Sequence, residues 1–187
     1  MGRIEELANR YQSHVSAPWQ RDLAGAQKTI FVVYDKTDER KLRAKLELYE
    51  MATRQSGHGW KLVDFTGTFA RWMASMEYRD PYFRKPAALG LKLKSDFVRA
   101  AAAELRDALI APEVDENTVV AAYGVGCLYG FTKVSLVLKE TDRDIRGRLV
   151  LFFPGEFDNN NYRLLDARDG WNYLAVPITL RGGTVER

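Results

Sequence analysis

RLVLFFPGEFDNNNYRLLDARDGWNYLAVPI, residues 148–178, is the stretch whose reading decides the fold. It opens on the apolar run Leu149 to Phe153, whose branched and aromatic side chains suit a buried strand. Pro154-Gly155 ends that run. Three asparagines, Asn159, Asn160 and Asn161, and the pair Tyr162-Arg163 follow. The chain then turns through Asp166 to Gly170 into a second apolar run, Trp171 to Ile178. Two strands therefore enclose an amide-rich loop. Tyr162 to Leu165 also has strand character and can pair with the second run as a hairpin.

Working outward, three more apolar runs read as strands: Thr29 to Tyr34, Trp60 to Phe65 and Thr118 to Tyr123. Helical spacing fills the intervals. A short helix is expected over 3–13, with Ile4, Leu7 and Tyr11 on one side. A long one follows Asp38, with Leu42, Leu46, Tyr49 and Met51 inward, and ends at Gly57 and Gly59. Shorter helices follow around Phe69 to Met76, over 95–110 and over 131–140, while 77–92 reads as irregular. Strands that alternate with helices and are apolar throughout predict one α/β domain over 1–187. The expected form is three-layered, with a mostly parallel sheet of about five strands, nucleotide-hydrolase-like without a P-loop, and a flexible tail at 181–187.

Composition narrows the class. The chain has 187 residues, 46% hydrophobic and 28% charged, with a net charge of +3. Such a small basic excess is not the footprint of a protein that coats DNA, and direct nucleic-acid binding is not expected. The densest basic stretch, Arg79 to Arg99, interleaves Tyr82 and Phe83 and reads first as a solvated face. A single cysteine, Cys127, a polar N-terminus and no long apolar run lead to the expectation of a cytoplasmic protein.

Chemical motifs are sparse. Gly124-Val125-Gly126-Cys127-Leu128-Tyr129-Gly130 invites a phosphate-binding reading, yet its glycine spacing departs from the dinucleotide pattern. A tight turn packed closely on the sheet is the simpler reading. No P-loop and no GxSxG motif occurs. Asp35 and Asp64 fall at strand ends, where two carboxylates can hold Mg²⁺ and orient a phosphate, or can serve only their turns. These residues with Gly124 and Gly126 form the alternative ligand site. His14, His58 and Cys127 have no metal-ligand spacing, and Cys127 reads as a buried thiol. No cofactor is expected. Trp19 reads as an anchor on the domain edge. The asparagines either shape a local turn or, with Tyr162, Arg163 and Trp171, form a protein-binding surface.

TIFVVYDK (29–36), GHGW (57–60), FARWM (69–73), ENTVVAAYGVGCLYGF (116–131) and RGRLVLFFPGEFDNNNYRLLDARDGWNYLAVPI (146–178) together resemble the BrxB family of bacterial BREX phage-defence systems. The resemblance runs over nearly the whole chain and is loosest between 77 and 115. It implies a cytoplasmic, non-catalytic adaptor. The partners it implies are the alkaline-phosphatase-like protein PglZ, a methyltransferase and a large ATPase. The family offers no catalytic motif to carry over. The residues placed at the partner surface are therefore Asn159, Asn160, Asn161, Tyr162, Arg163 and Trp171.

Overall fold

Side chains of the first strand, β1 (Thr29–Tyr34), alternate between two cores. Ile30, Val32 and Tyr34 point to one, Phe31 and Val33 to the other. That two-sided burial is why its sequence is apolar throughout. The computed structural model describes residues 2–168 and 170–180; the tail expected to be flexible at 181–187 lies outside them.

Around β1 run α1 (Arg3–Val15), α2 (Glu39–Arg43), α3 (Leu46–Gln55), β2 (Gly59–Asp64), α4 (Thr68–Ser75), α5 (Asp80–Arg84) and α6 (Gly90–Lys92). A π-type turn, Leu93–Phe97, leads into α7 (Val98–Leu109). Then come β3 (Thr118–Tyr123), α8 (Val134–Thr141), β4 (Arg148–Asp158), β5 (Asn161–Leu164), β6 (Trp171–Asn172) and β7 (Val176–Ile178). The main sheet has the order β2-β3-β4-β1-β7 and is parallel throughout. α1 and α3 cover one face, α7 and α8 the other. The expected α/β architecture is present: five parallel strands form the main sheet, and β5 and β6, which pair off the end of β4, bring the total among the described residues to seven.

Several boundaries differ from the sequence reading. The long helix after Asp38 breaks at Ala44-Lys45, although no proline or glycine marks the break. Met51, expected inward, is 50% exposed. Residues 77–92, expected to be irregular, contain α5 and a short 3₁₀ turn, with Pro81 and Pro86 each in a first turn, where a missing N–H costs nothing. The run from Trp171 to Ile178 is two short strands, β6 and β7, that join different neighbours. β4 does not stop at Pro154-Gly155 but continues to Asp158.

A buried hydroxyl chain joins α1 to α3. Thr53 Oγ1 donates to the Tyr49 carbonyl at 2.8 Å and accepts from the Tyr11 hydroxyl at 2.6 Å, with all three residues fully buried. Thr53→Val keeps the shape and strands the Tyr11 hydroxyl. A loss of about 1–2 kcal/mol in urea-unfolding free energy is expected. Trp19 packs on the domain edge as expected. Its ring lies 3.7 Å from that of His58, the Arg148 guanidinium lies over it at 4.7 Å, and its indole N–H donates to the Val15 carbonyl.

Candidate functional site

The feature that departs from a plain α/β sheet is a ribbon at the end of β4. β4 leaves β1 at the pair Tyr34 and Pro154, and from Gly155 onward it pairs antiparallel with β5. Asn159 and Asn160 connect the two strands with φ of 47° and 62°. A two-residue hairpin turn of the twist-compatible kind needs positive φ at both central positions, and asparagine tolerates it. Two of the three asparagine amides are used locally: Asn159 Nδ2 donates to Asp158 Oδ2 at 3.1 Å, and Asn161 Nδ2 donates to the Asn159 carbonyl at 3.2 Å. The first two asparagines therefore shape the turn. Asn160→Gly should leave stability unchanged or raise it slightly. Asn160→Val should cost about 1–2 kcal/mol by thermal unfolding, because a branched side chain resists positive φ.

Strand alternation then sorts the remaining residues. On β5, Asn161 and Arg163 are exposed while Tyr162 and Leu164 are buried. Tyr162 is 0% exposed, packs at 4.4 Å on the Phe31 ring and at 4.6 Å on the Phe157 ring, and donates its hydroxyl to the Ala175 carbonyl at 3.1 Å. Burial pushes its phenol well above the ordinary value. Tyr162 is thus a core residue, not the surface contact expected of it, because period-two alternation aims it at β1. Trp171 is half-buried against Phe31, Tyr162 and Tyr173, so it too mainly braces the ribbon.

The outer face carries other side chains. Glu156 and Arg163 are directly opposite across the strands and form an ion pair at 3.3 Å. With Asp158, Asn159, Asn161, Arg168 and Gly170 they line a concavity of about 280 Å³. Glu156, Asp158 and Arg168 were missed by sequence reasoning. Alternation counted outward from buried Phe153 would have found the first two. Lys36 at the exit of β1 pairs with Asp166 and ties the base of the ribbon to the sheet.

Beside the ribbon lies the crevice where ligands sit in open α/β sheets. The chain leaves β1 toward the α1–α3 face, whereas the segment after β4 packs on the α7–α8 face. Arg3, Tyr34, Asp35, Asp38, Glu156 and Phe157 are among the residues that line the space between, about 200 Å³. Asp35 turns back to accept from Thr37 N at 2.8 Å and Thr37 Oγ1 at 2.6 Å, and these bonds hold its carboxyl below the ordinary value. Asp38 is buried and paired with Arg3 at 2.6 Å and Lys41 at 3.0 Å.

Asp64 is elsewhere. Two strands, β3 and β4, separate β2 from β1, which places Asp64 about 14 Å from Asp35 at three strand spacings. The expectation that the two carboxylates share a Mg²⁺ ion is therefore corrected. Asp64 Oδ1 accepts from Thr66 N at 2.8 Å, and its carboxyl lies below the ordinary value because bonds from Thr66 and Tyr123 outweigh partial burial. Gly124, at φ 75°, packs on this same turn: a Cβ there would lie 2.8 Å from Thr66 N. Gly126 faces Pro154. Gly124 thus permits close packing on the Asp64 turn, whereas a Cβ at Gly126 would meet Pro154 only at an ordinary contact distance of 3.4 Å.

His58 sits at the start of β2 and hydrogen-bonds Asn117 Oδ1 at 2.6 Å and the Val15 carbonyl at 3.2 Å. Cys127 follows the end of the parallel neighbour β3 and is half-buried rather than buried. The two therefore lie at opposite edges of the sheet. Among the described residues no group of three or more His, Cys, Asp or Glu side chains is arranged to hold a metal ion, and no helix is long and apolar enough to cross a membrane. Comparison of the chain with protein-family models, with curated proteins and with solved structures gave no match.

Proposed function

We propose that this chain is a non-catalytic docking module of a cytoplasmic BREX-type antiphage complex, and that it binds the PglZ-like protein through the outer face of the β4–β5 ribbon. The observation that carries the docking surface is the ribbon itself. It runs past the sheet and presents Glu156, Asp158, Arg163 and Arg168 around one concavity, while Tyr162 anchors its inner face. A ribbon already fixed by its core loses little conformational freedom on binding. Charges of both signs at fixed spacing orient a partner and exclude wrong ones. The identity of the partner, and of the methyltransferase and ATPase beyond it, rests on the sequence resemblance to the BrxB family.

Arg163→Glu with Arg168→Glu reverses two exposed charges and leaves the core untouched. Affinity purification from the native host should recover the PglZ-like protein with the wild-type chain and lose at least about 90% of it with the double variant, a tenfold weakening. Recovery of equal amounts would rule the ribbon out. A nucleotide or Mg-phosphate site is the reading that remains for the crevice, with Asp35 as its one sequence-predicted residue. Asp35, Asp38 and Glu156 outnumber Arg3 there, and that charge disfavours a phosphate.

A further inference from the structure

The segment between α4 and α7 has a surface unlike the rest of the molecule. Of residues 77–88, all but half-buried Tyr82 are exposed. Tyr78 is 77% exposed and Phe83 64%, and nearby Leu91 reaches 81%. Side chains of this size are not left in water by want of core, since Leu89 and Phe97 in the same stretch are buried. Among the described residues, exposed Arg84, Lys85 and Lys94 form no ion pair. Arg79 donates to the Ala74 and Met76 carbonyls, which fixes its place and leaves its charge unpaired. Lys92 and Arg99 share the single carboxylate of Asp96. Glu77 and Asp80 are the exposed acids of the segment, and the cations outnumber them.

We infer that this lobe binds single-stranded nucleic acid, with Tyr78 and Phe83 stacking on bases and Arg84, Lys85 and Lys94 holding phosphates. Exposed aromatic rings in a segment rich in unpaired cations are complementary to an unpaired strand, which offers flat bases along an anionic backbone. A duplex fits poorly. Its bases hide their faces, and α5, five residues long, is too short to lie along a groove. An anionic membrane fits poorly as well, because Pro81 and Pro86 divide the lobe into short turns without one continuous apolar face.

Fluorescence anisotropy of labelled oligothymidylate and oligouridylate of about 20 nucleotides tests this. Both strands should bind at low salt at least about tenfold more tightly than a duplex of the same length. The affinity should fall with salt with a logarithmic slope of about −2, as for three phosphates. Tyr78→Ala with Phe83→Ala should weaken single-strand binding at least about tenfold, and Arg84→Glu with Lys85→Glu should abolish it. All four positions are exposed, so both variants should melt at the wild-type temperature. Three results would overturn the assignment: no binding of either strand at low salt, equal binding of strand and duplex, or full binding by the aromatic variant. Phe83-dependent sedimentation with phosphatidylserine vesicles, without oligonucleotide binding, would overturn it in favour of a membrane surface.

Discussion

Replacing Tyr162 by alanine is expected to lower the unfolding free energy by about 3–5 kcal/mol, the range for emptying a buried aromatic site. Tyr162 is fully buried where three parts of the chain meet: Phe31 on β1, Phe153 and Phe157 on β4, and Trp171 on β6 all have rings within 5.9 Å of its own. Phe31 and Phe153 are held by the central sheet and cannot collapse into the hole. Tyr162→Phe keeps the ring and removes only the bond to the Ala175 carbonyl, at a cost of about 1 kcal/mol. Urea unfolding of the two variants separates packing from hydrogen bonding. Nearly equal losses would mean that the ring itself contributes little. The phenylalanine variant should also bind the partner as wild type does, because the docking face lies on the opposite side of the strand.

Gly155→Ala should cost about 3 kcal/mol, the upper end for an overfilled site, and should loosen the ribbon selectively. A Cβ at this position would lie 2.1 Å from the Arg163 carbonyl oxygen and 3.0 Å from the Phe153 ring. The obstacle is backbone, so no side-chain rotation relieves it. The pair Gly155 and Leu164, where the ribbon begins, must open. Hydrogen exchange should accelerate in β5 while β1 and β3 stay protected. Unchanged protection at Arg163 and Leu164 would contradict this reading of the contact.

Pro154 and Gly155 also show what the sequence conveyed and what it did not. Read locally, Pro-Gly stops a strand. In the structure Pro154 is the residue at which β4 exchanges β1 for β5, and a missing N–H is tolerated where the ladder changes partner. Gly155 then admits the incoming strand. Neither fact can be read without knowing that a second strand returns. The central strands were legible because burial on both faces writes an unbroken apolar run, as in Ile30 to Tyr34 and Leu149 to Phe153. The ribbon was half legible: its two enclosing runs and the strand character of Tyr162 to Leu165 were visible. The mistaken part was the grouping of Tyr162 with Arg163, adjacent residues that alternation sends to opposite faces. Asp35 and Asp64 failed for a topological reason. Both fall at a strand end, but sheet order, which no local pattern encodes, puts two strands between them.

The docking claim is tested most directly by titration calorimetry of the purified chain against the purified PglZ-like protein. A saturable heat with the wild-type chain and with Tyr162→Phe, lost in Arg163→Glu with Arg168→Glu, is the predicted result. Absence of heat with the wild-type chain, or an unchanged isotherm with the charge-reversed ribbon, would contradict it.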